Sequence, residues 1–217
     1  MNAELLIDHA WGWEPCEIKD VKAYRPSTNS LTSGQVLKEP YSYKKALVVA
    51  SEMAEEMALT LLKRKLLTNQ VVLTVNYDKT SMENYDGEIM QDFYGRTVPK
   101  HAHGTYNLDD YICSSHEITE AVREIFEKNV NPELTIRRIT INVNNVKWEE
   151  DLKKELRQAS LFDSAKKREI SEKEKRPNEA MLMIKKRYGK NAILKGINFE
   201  EGATGRERNA QIGGHKA

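Results

Sequence analysis

The chain has 217 residues and a mass of 25.0 kDa, enough for one domain with an appendage or two small domains, which excludes a large multidomain enzyme. Apolar residues make up 39% and charged residues 31% of the sequence, so we expect part of the chain to be solvated. No stretch approaches the ~20 apolar residues that cross a bilayer, the start lacks signal-peptide features, and Cys16 and Cys113 cannot build a disulfide framework. These features predict a cytoplasmic protein without a membrane partner.

The net charge of +1 hides an uneven distribution of charged residues. Residues 1–150 hold 17 Lys and Arg against 23 Asp and Glu, a net charge of −6, whereas residues 151–217 hold 17 against 10, a net charge of +7. The composition therefore changes near residue 150. A basic tail on an acidic body is typical of a segment that contacts nucleic acid or an acidic partner, and also of a solvated, disordered segment.

The first elements in chain order are a short helix, a strand and a long helix. Residues 1–28 hold one apolar cluster and otherwise predict irregular chain that continues from something upstream. A β-type run at residues 30–37 ends at Glu39-Pro40, and Ser42 is a candidate N-cap. Apolar residues at helical spacing then predict an amphipathic helix of about six turns. They are Ala46, Ala50, Met53, Met57 and Leu61.

Two strands with alternating polarity follow the long helix. Residues 70–77 alternate in the period-2 pattern of a half-buried strand. A polar loop then extends to about Pro99. In residues 101–113 one strand face carries His101, His103, Thr105 and Asn107.

A second helix and a last strand complete the pattern. Ser114 and Glu117 form a capping box ahead of apolar residues at helical spacing. In the strand at residues 134–146 the apolar phase shifts across Arg137-Arg138, and a bulge there would explain the shift. The phase then places Ile139, Ile141 and Val143 inward, and Arg138, Thr140, Asn142 and Asn144 outward.

The order β-α-β-β-α-β predicts an α+β fold with a four-stranded antiparallel sheet and two helices on one of its faces. The other face stays open and is made of Thr, Asn, His and Arg, whereas the acidic residues cluster on the helices. Cations and short hydroxyls on a sheet face can hold backbone phosphates, although an ordinary solvated face would have the same composition. The candidates from spacing are Arg96, Lys100, His101, His103, Thr105, Arg137 and Arg138.

Two other kinds of site are disfavoured by the same residues. His101 and His103 point the same way on a strand, but Cys113 lies ten positions from His103 and no second close ligand pair exists, which argues against zinc. A nucleophilic pair of Cys113 and His116 lacks an orienting acid. A small buried thiol is the simpler role for Cys113.

The basic tail contains an apolar pair in a charged stretch. Residues 162–175 are too polar to pack, Pro177 predicts a break, and the Gly-rich end predicts irregular chain. Leu161 and Phe162 either start a helix or anchor the chain in a partner's pocket.

Together these segments resemble the C-terminal part of Y-family translesion DNA polymerases of the UmuC/DinB type. The resemblance is carried by SLTSGQVL at 30–37, YGRTVPKHAHGT at 94–105, and IRRI at 136–139. The tail, residues 187–217, resembles that of a Gram-positive and phage-borne branch. Gln158, Ser160, Leu161 and Phe162 resemble the motif by which bacterial polymerases bind the sliding clamp, with Ala159 where Leu is commoner.

The resemblance implies the end of a thumb domain and a linker at 1–28, a DNA-binding little finger at 29–147, and a basic clamp-binding tail at 148–217. It implies that the open face grips damaged or primer-template duplex DNA in the major groove. The outward positions Thr140 and Asn142 of the last strand, and Thr97, are further DNA-binding candidates. The resemblance also links the protein to the SOS response. No segment resembles the catalytic palm domain, so we expect no enzyme activity and no cofactor for this chain, and Mg²⁺ only for the absent catalytic domain. The alternative is a free-standing nucleic-acid-binding or protein-binding regulatory module.

Overall fold

The computed structural model describes residues 3–23, 29–83, 85–92, 94–156, 165–212 and 215–216. Helices lie at α1 (Ala3–Ala10), α2 (Ile18–Ala23), α3 (Tyr43–Arg64), α4 (Ser115–Asn129), α5 (Glu149–Leu156), α6 (Ala165–Tyr188) and α7 (Gly205–Asn209). Strands lie at β1 (Leu31–Tyr41), β2 (Leu66–Tyr77), β3 (Ile89–Gln91), β4 (Thr97–Pro99), β5 (Ala102–Ile112), β6 (Ile136–Asn144), β7 (Lys147–Trp148), β8 (Gln211–Ile212) and β9 (His215–Lys216). Two 3-10 turns lie at Lys79–Met82 and Gly196–Phe199.

The central sheet has the order β1-β6-β2-β5, with every neighbouring pair antiparallel, and β7 pairs with the start of β2. Helices α3 and α4 pack against each other and against one face of this sheet. The predicted α+β fold with the order β-α-β-β-α-β is confirmed. Among the described helices, none is both long enough and apolar enough to cross a membrane.

The core lies between the two helices and the sheet. Strands contribute alternate apolar positions to it, as in Val71, Leu73 and Val75 of β2, because successive side chains of a strand point to opposite faces. The ring of Phe126 in α4 meets Tyr43 at the start of α3 with ring centroids 4.9 Å apart. Helices α3 and α4 thus cover one face of the sheet, and the opposite face carries the other alternate positions of the strands.

The predicted bulge at the arginine pair is present. In the pairing of β2 with β6, Asn76 faces Arg138 but Tyr77 faces Ile136, so Arg137 has no partner in the ladder. The extra residue lets both Ile136 and Ile139 reach the core, where each is fully buried. Ser42 precedes α3 as predicted, but its side chain makes no capping hydrogen bond, whereas Ser114 accepts a hydrogen bond from the backbone N–H of Glu117 at 3.2 Å.

Several predicted boundaries are wrong. Strand β1 continues through Pro40 to Tyr41, because Pro40 lies in a stretch of this edge strand with an irregular register, where no ladder hydrogen bond is required of it. The polar loop before Pro99 contains a small hairpin of β3 and β4. Pro177 lies inside α6 rather than ending it.

The C-terminal segment, residues 190–209, is also more ordered than the sequence predicts. Its 3-10 turn, Gly196–Phe199, and α7 both pack against α3, as does α6. The carboxylate of Glu52 in α3 accepts hydrogen bonds from the backbone N–H groups of Thr204, at 2.7 Å, and of Gly205, at 3.1 Å. This contact buries Glu52, which retains 4% of its exposure. The segment is therefore attached to the side of the domain formed by α3 and α4, which we call the helix face.

Candidate nucleic-acid interface

The open face of the sheet is built from the alternate positions of four strands. Directly paired residues of antiparallel strands point to the same face, so the strand register defines which side chains lie together. Across the sheet they form four rows: Asn144, Gln70 and Asn107; Thr32, Asn142, Val72 and Thr105; Gly34, Thr140, Thr74 and His103; and Val36, Arg138 and Asn76.

Side-chain hydrogen bonds connect neighbours within these rows. The amide of Gln70 accepts from Asn144 at 2.9 Å and donates to Asn107 at 2.8 Å. The ring of His103 lies 3.0 Å from the hydroxyl of Thr74, measured between Nδ1 and Oγ1. These contacts hold the polar side chains in a layer of fixed orientation, with amides and hydroxyls that can still bind a further partner.

The electrostatic character of this face differs from that of the helix face. The rows carry the guanidinium of Arg138 and the imidazole of His103 and contain no carboxylate. The helix face carries Glu52, Glu55 and Glu56 on α3, and α4 adds further glutamates. The glutamates of α3 and α4 therefore lie on the far side of the sheet from the open-face rows, whereas Asp109 and Asp110 lie near the end of β5.

Five of the predicted DNA-binding residues are brought together by the open face. His103 and Thr105 lie on β5, and Arg138, Thr140 and Asn142 lie on β6. Only strand β2 lies between β5 and β6, so the two groups are one strand apart. The sequence periodicity also predicts that all five share one face.

Three other predicted residues lie on the β3–β4 hairpin or directly after it. Arg96 pairs with Asp92 at 2.6 Å and stacks over the ring of Tyr94, with 5.0 Å from the guanidinium carbon to the ring centroid. Lys100 pairs with Glu88, and the hydrogen bond and charge of this carboxylate raise the pKa of Lys100. Thr97 is exposed on β4.

The remaining two predicted residues make contacts within the protein. His101 lies between the hairpin and β5, with its Nδ1 3.2 Å from the sulfur of Met90. Arg137, the extra residue of the bulge, donates from Nη1 to the backbone carbonyl of Lys38 at 2.9 Å, and its Nε lies 3.8 Å from a carboxylate oxygen of Asp78. Arg137 is therefore not part of the open-face row that contains Arg138.

The structure adds open-face residues that were not among the predicted site residues. Thr74 and Asn76 on β2 share rows with His103 and Arg138, and Thr32 on β1 shares a row with Asn142. The alternation in residues 70–77 contained the signal for Thr74 and Asn76. Thr32 required the pairing of β1 with β6, which connects positions more than a hundred residues apart.

The clamp-motif residues Gln158, Ser160, Leu161 and Phe162 lie outside the described residues. Cys113 is half-buried and forms no disulfide with the described residues. The rings of His101 and His103 meet edge to face with centroids 6.4 Å apart. In the part of the chain that the structure describes, no three His, Cys, Asp or Glu side chains are placed to hold a metal ion together.

A family model, the impB/mucB/samB family C-terminal domain, matches residues 28–161. The match covers more than half of the chain, and the chain belongs to this family. It confirms the resemblance to the C-terminal part of the UmuC/DinB-type polymerases, a part that is distinct from their catalytic core. The Gram-positive or phage-borne branch stays a prediction.

Solved structures of similar proteins were also found, whereas no curated protein matched the sequence. One is the little finger domain of PolIV in a complex with the beta-clamp processivity factor, with 9% identity, 53% of this chain and 86% of that chain covered, and a TM-score of 0.33. Another is a post-insertion binary complex of Dbh DNA polymerase, with 11% identity, 67% of this chain covered, and a TM-score of 0.35. The match spans 36% of the length of that polymerase chain.

Proposed function

We propose that this chain is the DNA-binding little finger and clamp-binding tail of an error-prone translesion DNA polymerase. In this proposal the open sheet face holds the backbone of damaged or primer-template duplex DNA without reading its sequence. The observation that carries the proposal is the composition of the open face, where Arg138 lies among hydroxyl and amide side chains and no carboxylate shares their rows.

Binding through this face would rest on contacts to phosphates. Arginine donates paired N–H groups that match a phosphate, and Thr, Asn and Gln side chains add neutral donors. Such contacts fix the position of a duplex and carry no sequence information. A polymerase that copies any template needs this kind of grip.

The β3–β4 hairpin would extend the grip. Arg96 and Lys100 each pair with a carboxylate of the same hairpin, and both cations are solvent-exposed, although Asp92 is half-buried. Exposed ion pairs contribute only about 0–1 kcal/mol, so a phosphate can replace Asp92 or Glu88 at little cost. The ion pairs thus hold Arg96 and Lys100 in defined positions, and both side chains can still bind a DNA phosphate.

Nucleotide transfer would belong to another part of the parent polymerase. The catalytic domain of such an enzyme would hold Mg²⁺ through its own carboxylates, and this chain would supply binding alone. The purified chain should therefore incorporate no nucleotide in a primer-extension assay.

The DNA-binding proposal is tested with Arg138→Ala. We expect this variant to bind all duplex sequences more weakly, and the slope of log affinity against log salt to fall in magnitude by about 1, as for the loss of one phosphate contact. The measurement is fluorescence anisotropy with two unrelated duplexes over a range of salt concentrations.

Lys128→Ala is the matched control, because Lys128 is an exposed lysine of α4, on the helix face. It should leave both affinity and salt slope unchanged. An unchanged slope in Arg138→Ala, or a loss restricted to one of the two duplexes, would contradict the proposal.

The clamp-binding proposal is tested with Leu161 and Phe162 both changed to Ala. Each side chain would contribute on the order of 1.5–3 kcal/mol if fully buried in a clamp pocket, so we expect calorimetry to detect no binding to a bacterial sliding clamp. Gln158 and Ser160 would add hydrogen bonds worth about 1 kcal/mol each.

DNA affinity is the internal control for this double variant. It should stay at the level of the unaltered chain, since the motif lies outside the βαββαβ domain. Retained clamp binding would place the clamp contact elsewhere, and loss of both activities would mean that the pair supports the fold.

A further inference from the structure

A groove of about 660 Å³ lies between α3 and the C-terminal segment that packs on it. One wall comes from α3, and the other comes from the end of α6 and residues 190–209. Because α3 covers the helix side of the sheet, the groove is separate from the open face. Neither the DNA proposal nor the clamp proposal uses it.

The floor of the groove is apolar. The apolar lining, called the floor here, comes from Leu59 of α3, Met181 and Leu182 of α6, and Leu194 of the C-terminal segment. Methionine adapts its unbranched side chain to different partners, which suits a floor that receives an apolar group. The volume of the groove falls in the range of ligand-sized clefts.

The carboxylates in the walls already have partners. Glu52 accepts from the backbone of Thr204 and Gly205, Glu55 pairs with Lys195 at 3.0 Å, and Glu56 pairs with Arg208 at 3.0 Å. These residues hold the two walls together. Their negative charge is therefore compensated within the protein.

Four lysines of the walls lack a direct ion pair of this kind. Lys63, Lys185, Lys186 and Lys190 line the groove and make no ion pair with the described residues. The guanidinium of Arg208 also has one buried nitrogen, Nη1, that has no hydrogen-bond partner among the described residues. The groove thus combines an apolar floor with a surplus of positive charge.

The surroundings of Lys185 support an anionic occupant. Burial lowers the pKa of Lys185, and the charges of Lys195 and Lys190 act in the same direction against the opposing effect of Glu56 and Glu55. An anion in the groove would favour the charged ammonium and offset part of the cost of its burial.

We propose that the groove binds an acidic peptide segment of a partner protein, with apolar side chains on the floor and carboxylates against the lysines. The lysines of the walls favour a ligand with negative charge. The apolar floor favours a ligand that also carries apolar side chains, as a peptide does. A nucleic-acid backbone offers phosphates but no apolar side chain to fill the floor. Such a partner could bind while DNA occupies the opposite face of the domain.

Three fluorescein-labelled peptides and the full 217-residue chain test this proposal by fluorescence anisotropy. The first peptide alternates leucine and glutamate, the second has serine in place of leucine, and the third has lysine in place of glutamate. We expect the first peptide to bind at least about tenfold more tightly than either of the others, a difference of roughly 1.4 kcal/mol.

A charge-reversal pair locates the binding site. Lys63→Glu combined with Lys190→Glu should weaken the first peptide about tenfold or more, again on the conversion of 1.4 kcal/mol per decade. The control combines Lys79→Glu with Lys128→Glu, two exposed lysines outside the groove, and should bind like the unaltered chain. Circular dichroism would verify that both variants are folded.

Four results would overturn the proposal. Three of them are no binding of the first peptide, equally tight binding of the serine peptide, and an equal loss of affinity in the control variant. The fourth is that single-stranded DNA displaces the first peptide, and that Lys63→Glu with Lys190→Glu also abolishes binding of this DNA. The last result would make nucleic acid the occupant of the groove.

Discussion

Gly104 lets helix α4 approach the edge strand β5. A Cβ atom at this position would lie 2.4 Å from Cγ2 of Ile125 and 2.7 Å from Nδ2 of Asn129, both on α4. Real Cβ contacts are longer, so a larger residue must displace these two side chains or the helix that carries them. Gly34 on β1 offers a contrast, because its added Cβ would meet nothing closer than 3.6 Å, at Oγ1 of Thr140.

Gly104→Ala should therefore destabilise the domain by about 1–3 kcal/mol through overpacking. Gly34→Ala, on the open face, should be neutral or stabilising by about 0.5 kcal/mol, because alanine loses less backbone entropy than glycine in a strand. Urea unfolding of both variants checks the difference. Equal stability of the two would show that α4 does not pack on β5 as closely as described.

The orientation of Arg138 could be predicted from the sequence, whereas that of its neighbour Arg137 could not. The phase of the apolar residues assigned Arg138 to the open face, and the structure agrees. The same pattern gave no sign that the bulge would turn Arg137 toward Lys38 and Asp78. Periodicity describes regular strand positions, and it loses its meaning at the residue that interrupts the ladder.

At the scale of elements, local patterns were sufficient for the βαββαβ domain and insufficient for the segments around it. Helix and strand periods predicted α3, β2, β5, α4 and β6, since each buries one face. The β3–β4 hairpin has strands of only three residues, too short for a periodic signal. The packing of residues 190–209 on α3 depends on Glu52, some 152 positions away from Thr204, and no local pattern contains such a contact.

The attachment of the C-terminal segment to α3 depends most on Glu52. Its carboxylate accepts from two backbone N–H groups and from the amide of Asn198. Glu52→Gln removes the charge and directs an N–H toward these donors, so we expect the segment to detach more easily by about 1–3 kcal/mol. Faster hydrogen exchange at Thr204 and Gly205 is the measurement.

Glu124→Gln on α4 is the matched control for this substitution, because Glu124 is exposed and lies away from the segment. It should leave exchange at Thr204 and Gly205 unchanged. If Glu52→Gln also leaves their exchange unchanged, the carboxylate does not hold the segment.

At the scale of the whole molecule, the packing of the tail accounts for part of the charge asymmetry. The basic C-terminal residues Lys195 and Arg208 pair with Glu55 and Glu56 of the acidic body. In the opposite sense, Lys38 and Lys45 of the body pair with Glu207 and Glu201 of the tail. One acidic partner of the basic tail is thus the same chain.

This arrangement gives the two faces of the molecule different tasks. The helix face, with its glutamates, is partly covered by the C-terminal segment, while the open face keeps its cation and neutral donors accessible. Net charge alone could not distinguish these faces, because it sums over both. The strand register separates them, and the DNA-binding proposal depends on that separation.

The most direct test of DNA binding by the open face is NMR spectroscopy of the isotope-labelled chain during titration with a short DNA duplex. We predict that amide shifts concentrate on the open-face rows, including Thr74, Arg138 and Thr140, and on the β3–β4 hairpin, while α4 and the groove beside α3 stay unperturbed. Shifts confined to α3, α4 or the C-terminal segment, with the rows unchanged, would contradict the account.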